Sequence, residues 1–453
     1  SNLSAAAEFD DRPLQFIHLN PFGDAEQHAA ITPGPLYLLP HLTESATPQS
    51  AGGEFYIGLE NVAGGETVAL LFQLMEGSEN PLRDKPEPHL SWFYLSKNNW
   101  KPLPDDALGD GTAELIQSGI IDVAVPTDAT TTDTWMPTGF VWLKANVTQA
   151  PDAVAKIIGV HPNAVQVVRS AGQTASVSLP AGTIAKLQTP DPAVKKVTQP
   201  YATFGGRAVE PSADFYVRAS ERLRHKDRAI TIWDYERLVL EAFPEIYKVK
   251  CLNHTNISGS VSGGDLEYNE VAPGHVTLIT IPDLRQRNDA DPLKPYTRKS
   301  LLRRIETFLR ARTSCHVRLS AAQPQFEEVR VACTVVLAEG YADLLYYRER
   351  LQQEVTQFLS PWAYGQTTDV EFGGRMSKSV LIDFIEERPY VDYLTDFRLY
   401  HTPGEGAPES GDVEEAVAST ARSILVSAAA TRHDFTMIAH TSIPTPPVVC
   451  PDE

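Results

Sequence analysis

The residue types that could do chemistry are scattered along this chain. Its four cysteines are Cys251, Cys315, Cys333 and Cys450, with no CxxC pair and no Cys/His cluster at metal-ligand spacing. Cys251, Cys315 and Cys333 each fall in an apolar, strand-like run, where a thiol acts as a small hydrophobe. That usage fits a reducing cytosol better than a disulfide framework. The 12 histidines include no i, i+4 pair; His225 lies in a basic run and His275 leads a strand. Glu327-Glu328 and Glu386-Glu387 are adjacent, so their side chains diverge in a strand or helix. Both pairs are read as exposed surface rather than as a general acid with its base. Asp105–Gly111 lacks the alternating ligand spacing of a calcium loop and reads as an exposed hairpin turn. The sequence has no phosphate loop, dinucleotide fingerprint, HExxH or GxSxG elbow. The expectation is no enzyme, no cofactor and no resident metal.

Aromatic residues offer one more chemistry. Trp92, Tyr94 and Trp100 lie on or beside one hairpin, and Trp135 and Trp142 flank another. Such rings can stack on a sugar. Trp92 and Tyr94 share a face while Phe93 points the other way, which reads as sandwich core.

The elements that must position these residues change character along the chain. At 453 residues, about three domains of roughly 150 residues are expected. Residues 1–50 read as an extended, docking segment. Residues 51–150 carry candidate strands at Phe55–Glu60, Thr67–Met75, Leu90–Leu95, Gly119–Val125 and Gly139–Val147, the pattern of a β-sandwich-like domain. A small β-rich stretch, Ala164–Leu187, and a linker at 189–215 fill residues 151–215. In 216–322, Thr231 can cap a helix whose apolar positions are Tyr235, Leu238, Val239 and Ala242. Strands Ile246–Leu252 and His275–Ile281 follow, then a helix carrying Leu301, Leu302, Ile305, Phe308 and Leu309, then strand Cys315–Leu319. Residues 323–401 repeat the order in outline: strand Glu328–Leu337, a helix with Leu351 and Val355, strand Asp369–Phe372, a helix with Leu381 and Ile385, strand Val391–Leu399. The fold class is therefore multi-domain α+β: an all-β sandwich-like module, then two α/β units, each with two helices on a mixed or antiparallel sheet, then a docking C-terminal tail. That tail, 402–453, opens as an acidic Gly/Pro linker at 402–415. The loop Thr255–Pro273 reads as disordered or partner-ordered.

The net charge is −19, which argues against general nucleic-acid binding. Residues 221–320 hold 17 basic and 13 acidic residues, a local +4, leaving −23 for the rest. A basic segment in an acidic chain is a solvated face or a contact for an acidic neighbour. No run approaches the ~18 apolar residues of a spanning helix, and no early apolar stretch reads as a signal peptide. The chain opens on Ser1-Asn2-Leu3 without an initiator Met, as a fragment of a longer protein would.

Three stretches carry a family resemblance. Residues 222–251, RLRHKDRAITIWDYERLVLEAFPEIYKVKC, resemble the pattern RAxTxxDYExLxxxxFPxVxxVxC. Residues 273–282, PGHVTLITIP, resemble PGxVxVxVxP, and residues 372–387, FGGRMSKSVLIDFIEE, resemble FGxxxxxSxLxxxI. These are patterns of the J-like baseplate wedge proteins of contractile, phage-tail-like injection systems, and together they span about residues 220–400. The family's Gly-Val after the last helix is replaced by Pro389-Tyr390-Val391-Asp392, and Ala421–Ser427 resembles the end of the stand-alone systems' wedge proteins. The departure favours those extracellular or cell-associated systems over a phage.

The resemblance implies a structural subunit repeated around a six-fold axis. Its partners would be other wedge subunits, the central hub and spike, and the sheath, with no nucleic acid and no membrane insertion. Assembly would occur in the bacterial cytoplasm. Candidate subunit contacts are Arg222, Arg224, Lys226 and Arg228 before the capped helix, Arg298 and Arg303 around the next, and Ile424, Leu425 and Val426 in the tail. The tail is expected to add a strand to an open sheet edge. The rival reading is a glycan- or receptor-binding module built on the aromatics of 92–142.

Overall fold

The computed structural model describes residues 16–20, 23–27, 52–83, 85, 88–148, 150–168, 178–206, 210–258, 267–283, 291–364, 370–404 and 406–440. Cys450 and most of the N-terminal segment lie outside them. The chain forms two compact units, residues 1–164 with 229–453, and residues 165–228.

In the larger unit, β1 (Phe16–Asn20) and β2 (Gly23–Gln27) pair as a hairpin. Eight strands follow: β3 (Gly53–Glu60), β4 (Thr67–Met75), β5 (Ser91–Ser96), β6 (Asn99–Pro102), β7 (Leu108–Asp110), β8 (Gly119–Ala124), β9 (Phe140–Val147) and β10 (Lys156–Pro162). They build two four-stranded antiparallel sheets, β3-β9-β5-β6 and β10-β4-β8-β7. Period-two alternation drives the packing. Val68, Leu70, Phe72 and Leu74 of β4 and Val141, Leu143, Ala145 and Val147 of β9 meet in one core. Trp92 and Tyr94 join it, with Trp92 edge-on to Phe72 at 6.3 Å. The β-rich stretch expected at Ala164–Leu187 holds no strand among its described residues. The last strand is instead β10, because its backbone pairs with β4, whereas Val165, Val167 and Val168 are exposed.

The smaller unit has one regular element among its described residues, helix α1 (Ser212–His225). It occupies the end of the expected linker, and Pro211 stands at its N-cap, where a missing N–H costs nothing. Residues 178–206 are largely exposed coil, tied by the Leu179 N–H donating to Thr203 Oγ1 at 2.7 Å.

The rest of the larger unit contains two α/β layers. In the first, α2 (Ile232–Ala242), β11 (Ile246–Asn253), β12 (Asn256–Ser258), β13 (Glu267–Asn269), β14 (His275–Pro282), α3 (Lys299–Arg310) and β15 (Arg318–Ala322) succeed one another. The sheet runs β11-β14-β15, antiparallel then parallel, and β12 pairs with β13 as a hairpin inside the long loop. Thr231 caps α2 as expected, accepting from the Asp234 N–H at 3.3 Å, and its own N–H donates to Asp234 Oδ2 at 2.8 Å, which completes a capping box. Leu238 and Val239 pack on Ile305 and Leu309 of α3. Both sheet edges are closed by a helix carboxylate: Glu236 accepts from the Cys251 N–H at 3.0 Å, and Glu306 from the Ala321 N–H at 2.7 Å, each 15 residues downstream. Closed edges suppress stray strand pairing.

The second layer holds β16 (Gln325–Leu337), α4 (Leu344–Leu359), β17 (Arg375–Ser377), α5 (Lys378–Glu386), β18 (Val391–Thr402), β19 (Glu415–Val417), β20 (Ser423–Ser427) and β21 (Asp434–Ile438). No strand forms over the described part of Asp369–Phe372. Val370 is a core plug there, and the pairing strand is β17, three residues on, against β19. β16 is central, with β18 antiparallel on one side and β20 and β21 parallel on the other.

The segment 402–415, expected to be a flexible linker, is an ordered strap in its described residues. Glu409 takes Arg330 in a fork at 2.8 and 2.7 Å, Asp412 takes Lys378 at 2.9 Å, and the Val413 N–H donates to Leu399 O at 2.9 Å. Glu409, Asp412 and Glu414 are spent on these cations, which composition alone could not show.

Candidate functional site

The residues expected at subunit contacts fall in three different settings. Arg222 and Arg224 lie in the last turn of α1, where cations complement the negative end of the helix dipole. Lys226 follows in the left-handed conformation, φ 50°, with its N–H closing on Arg222 O at 2.8 Å. Arg222, Arg224, Lys226 and Arg228 are all exposed, while His225 between them is buried and accepts from the Asp227 N–H at 3.0 Å. The helix also exposes Phe215, Tyr216, Val217 and Leu223. Four cations and four large apolar side chains thus lie on α1 and the three residues that follow it.

Arg298 and Arg303 have a different setting. Arg298 lies 3.6 Å from Glu76, and Arg303 donates to Ala113 O at 3.4 Å, so both face the β-sandwich of their own chain. The same junction supplies an unusual cap. Arg298 gives α3 no side-chain cap bond, and Glu79 from the sandwich takes that role, accepting from Lys299 N–H at 3.1 Å and from Gly77 N–H at 2.9 Å. Lys299 Nζ donates to Arg83 O across the junction. Glu79 is buried, and burial raises its carboxyl above the ordinary range. Glu79→Ala is expected to cost about 2 kcal/mol in urea unfolding, since the Lys299 and Gly77 N–H groups lose the buried carboxylate that accepts from them. Glu79→Gln, with one acceptor oxygen left, is expected to cost about half of that.

The tail residues are not open surface. Ile424 and Val426 are 1% and 0% exposed, packed with Ile281, Phe326 and Val370, and Leu425 is half-buried. The strand they form does add to a sheet edge, but the edge belongs to β16 of the same chain. Their apolar faces are satisfied internally.

The acidic pair on β16 also departs from expectation. Glu327 is fully buried, because it shares the inward face of β16 with Val329 and Val331. His401 Nε2 lies 2.7 Å from it, the Ser419 N–H donates to both carboxylate oxygens at 3.1 Å, and Ser419 Oγ donates too. Burial pushes the Glu327 carboxyl up, but the bonds from His401, Ser419 and Ser423 outweigh it and hold it below its usual range. Glu328 on the opposite face pairs with Lys294 at 2.7 Å and with Arg432. This is a structural clamp that ties three segments together.

A serine–histidine pair lies in the core. His433 Nε2 is 2.9 Å from Ser427 Oγ, and His433 Nδ1 accepts from the Val331 N–H at 3.1 Å. An accepting Nδ1 puts the proton on Nε2, the tautomer that donates to serine rather than deprotonating it. Ser427 is 1% exposed and out of reach of any substrate. Of the thiols, Cys251 and Cys333 are buried and pushed up to about 12 by that burial. Cys315 is exposed in a turn, because the strand expected at Cys315–Leu319 begins only at Arg318. Among the described residues no three His, Cys, Asp or Glu side chains could hold a metal ion, and no helix is long and apolar enough to cross a membrane.

The outer face of sheet β3-β9-β5-β6 carries the remaining aromatics. Tyr56 and Trp100 lie 5.6 Å apart, and Lys144 sits 4.9 Å from the Phe93 ring and 5.3 Å from Trp100 while bonding Glu54 at 3.2 Å. Trp142 donates to Pro137 O at 2.9 Å, and Trp135 is exposed. With Trp92 and Tyr94 in the core, a sugar platform has lost two of its five sequence-level members.

A family model described as "Baseplate protein PVC11-like" matches residues 24–429 of the chain. Among solved structures, a chain of the six-fold symmetrised cryo-electron microscopy structure of the anti-feeding prophage baseplate is similar at 17% identity and a TM-score of 0.36, over 84% of this chain and 77% of that one. No curated protein matches.

Proposed function

This chain belongs to the PVC11-like family of baseplate proteins, components of contractile, phage-tail-like injection systems, and from that premise we propose that it is a structural wedge subunit. Copies repeat around a six-fold axis, encircle the hub and spike, and connect them to the sheath. Rearrangement of the wedges on target contact releases the sheath, a set of interfaces with two stable arrangements. Particles assemble in the bacterial cytoplasm and act outside the cell or attached to it. The subunit's partners are other wedge subunits, the hub and spike, and the sheath; nucleic acid and the membrane interior are not among them. It performs no catalysis of its own.

The observation that carries this reading is the breadth of the family match, residues 24–429, which takes in the sandwich, helix α1, the first α/β layer and the second as far as β20. The placement of polar side chains supports it. Glu327, His433 and Ser427 are spent on internal bonds, whereas α1 and the residues just after it leave cations and apolar side chains exposed. Of the candidate contacts, Arg222, Arg224, Lys226 and Arg228 fit a subunit interface with an acidic neighbour. Deleting the chain in its source should leave no particles able to contract, seen by negative-stain microscopy. Normal contracted particles without it would end the proposal.

A further inference from the structure

Strand β16 changes partner partway along its length. Its residues Gln325–Val329 pair with β20 and its residues Ala332–Val336 with β21. Between these runs the Val331 N–H meets no strand and donates instead to His433 Nδ1 at 3.1 Å. The other ring nitrogen contacts Ser427 Oγ at 2.9 Å, which donates on to Ala428 O at 2.8 Å. Gln352 of α4 donates to His433 O at 2.8 Å, and the ring stacks on Phe435 with 6.0 Å between centroids. A 1% exposed imidazole thus stands in for a missing stretch of strand at the join between β20 and β21.

We propose that His433 is an acid-sensitive clasp, which holds β20 and β21 on β16 when neutral and releases them when protonated. A proton on Nδ1 would face the Val331 N–H, two donors head to head in a buried site with no acceptor between them. The charged groups around the ring give the cation no help. Arg330 on β16 and Arg432 beside the ring are both cations. The nearby acids are committed: Glu409 of the strap to Arg330 and Arg432, and Glu328 of β16 to Lys294 and Arg432. Asp434 is exposed and makes no bond to the ring among the described residues, and α4 contributes the neutral Gln352. Burial, with the two arginines, holds the imidazole down at about 4. Its folded value lies below the ordinary 6.5, so the contribution is whole above about 6.5 and lost as pH falls through about 4. Release takes Ile424, Val426 and Phe435 out of the core and leaves the β16 edge open.

The test is amide hydrogen exchange on the full chain, corrected for the intrinsic pH dependence of exchange. Between pH 7 and pH 5, opening of Val331 and of the β20 and β21 amides is expected to rise about 25-fold, as a shift from 6.5 to about 4 requires. His433→Asn keeps an acceptor near Nδ1 but cannot titrate, and should show no such rise. An equal acid response in His433→Asn, or less than a threefold rise in the unaltered chain, would overturn the clasp. If His433→Asn fails to fold, the imidazole titration followed by NMR in the unaltered chain decides. A midpoint near 4 that coincides with loss of Val331 protection supports the clasp, and a midpoint near 6.5 with protection unchanged refutes it.

Discussion

Val426→Asp is expected to unfold the second α/β layer, or to cost about 4 kcal/mol or more where the chain still folds. Val426 is 0% exposed, sits opposite Glu328 in the β16–β20 register and packs among Ile281, Phe326, Val370 and Ile424. An unpaired carboxylate in that setting must be buried charged or protonated, and either route costs several kcal/mol. A domain is stable by roughly 5–15 kcal/mol, so one such change consumes much of the margin. Val426→Ala should cost only about 1–2 kcal/mol, the ordinary loss of two buried methyl groups. Urea unfolding followed by tryptophan fluorescence and circular dichroism separates the two. If Val426→Asp were as stable as the unaltered chain, β20 would not be part of the fold.

Reversing the basic end of α1, Arg222→Glu with Arg224→Glu, is expected to abolish particle assembly while leaving the larger unit's unfolding unchanged. Both side chains are exposed, so little packing is lost. The helix end itself loses a favourable dipole interaction worth about 0.3–1 kcal/mol per residue, confined to α1. At an interface with an acidic neighbour the reversal replaces attraction by like-charge contact, which costs several kcal/mol per copy and repeats in every copy. Arg222→Gln with Arg224→Gln removes the charge without the repulsion and should give an intermediate particle yield. Normal yield from the double Glu variant would place the contact elsewhere.

What could be read from the sequence follows from how local each signal is. The capped helix α2 was legible because Thr231, Asp234 and the Tyr235/Leu238/Val239 spacing lie within one stretch of chain. The sandwich strands were legible from alternation, which fixes Trp92 and Tyr94 inside without knowledge of the opposite sheet. Strand β10 was not, because only pairing with β4, some 85 residues earlier, distinguishes it from the exposed valines after it. Helix α1 was hidden by its own exposure, since a helix with few buried residues lacks a clean apolar stripe. Glu327 was misplaced on the surface because its partners His401 and Ser419 are 74 and 92 residues away. Glu79 carried no local signal at all, since the helix it caps starts 220 residues downstream. Of the candidate contacts, those the chain itself covers are Arg298 and Arg303, read from local charge, and Ile424 and Val426, read from local hydropathy, and neither local signal can name its cover.

A wedge subunit of the kind proposed must lie around the particle's six-fold axis. Cryo-electron microscopy of particles purified from the native source, with a small rigid tag on the chain, locates it. Tag density is expected at six symmetric positions, or a multiple of six, in a ring around the spike at the baseplate end. Particles that carry no tag, or tag density confined to the sheath or to peripheral fibres, would contradict it.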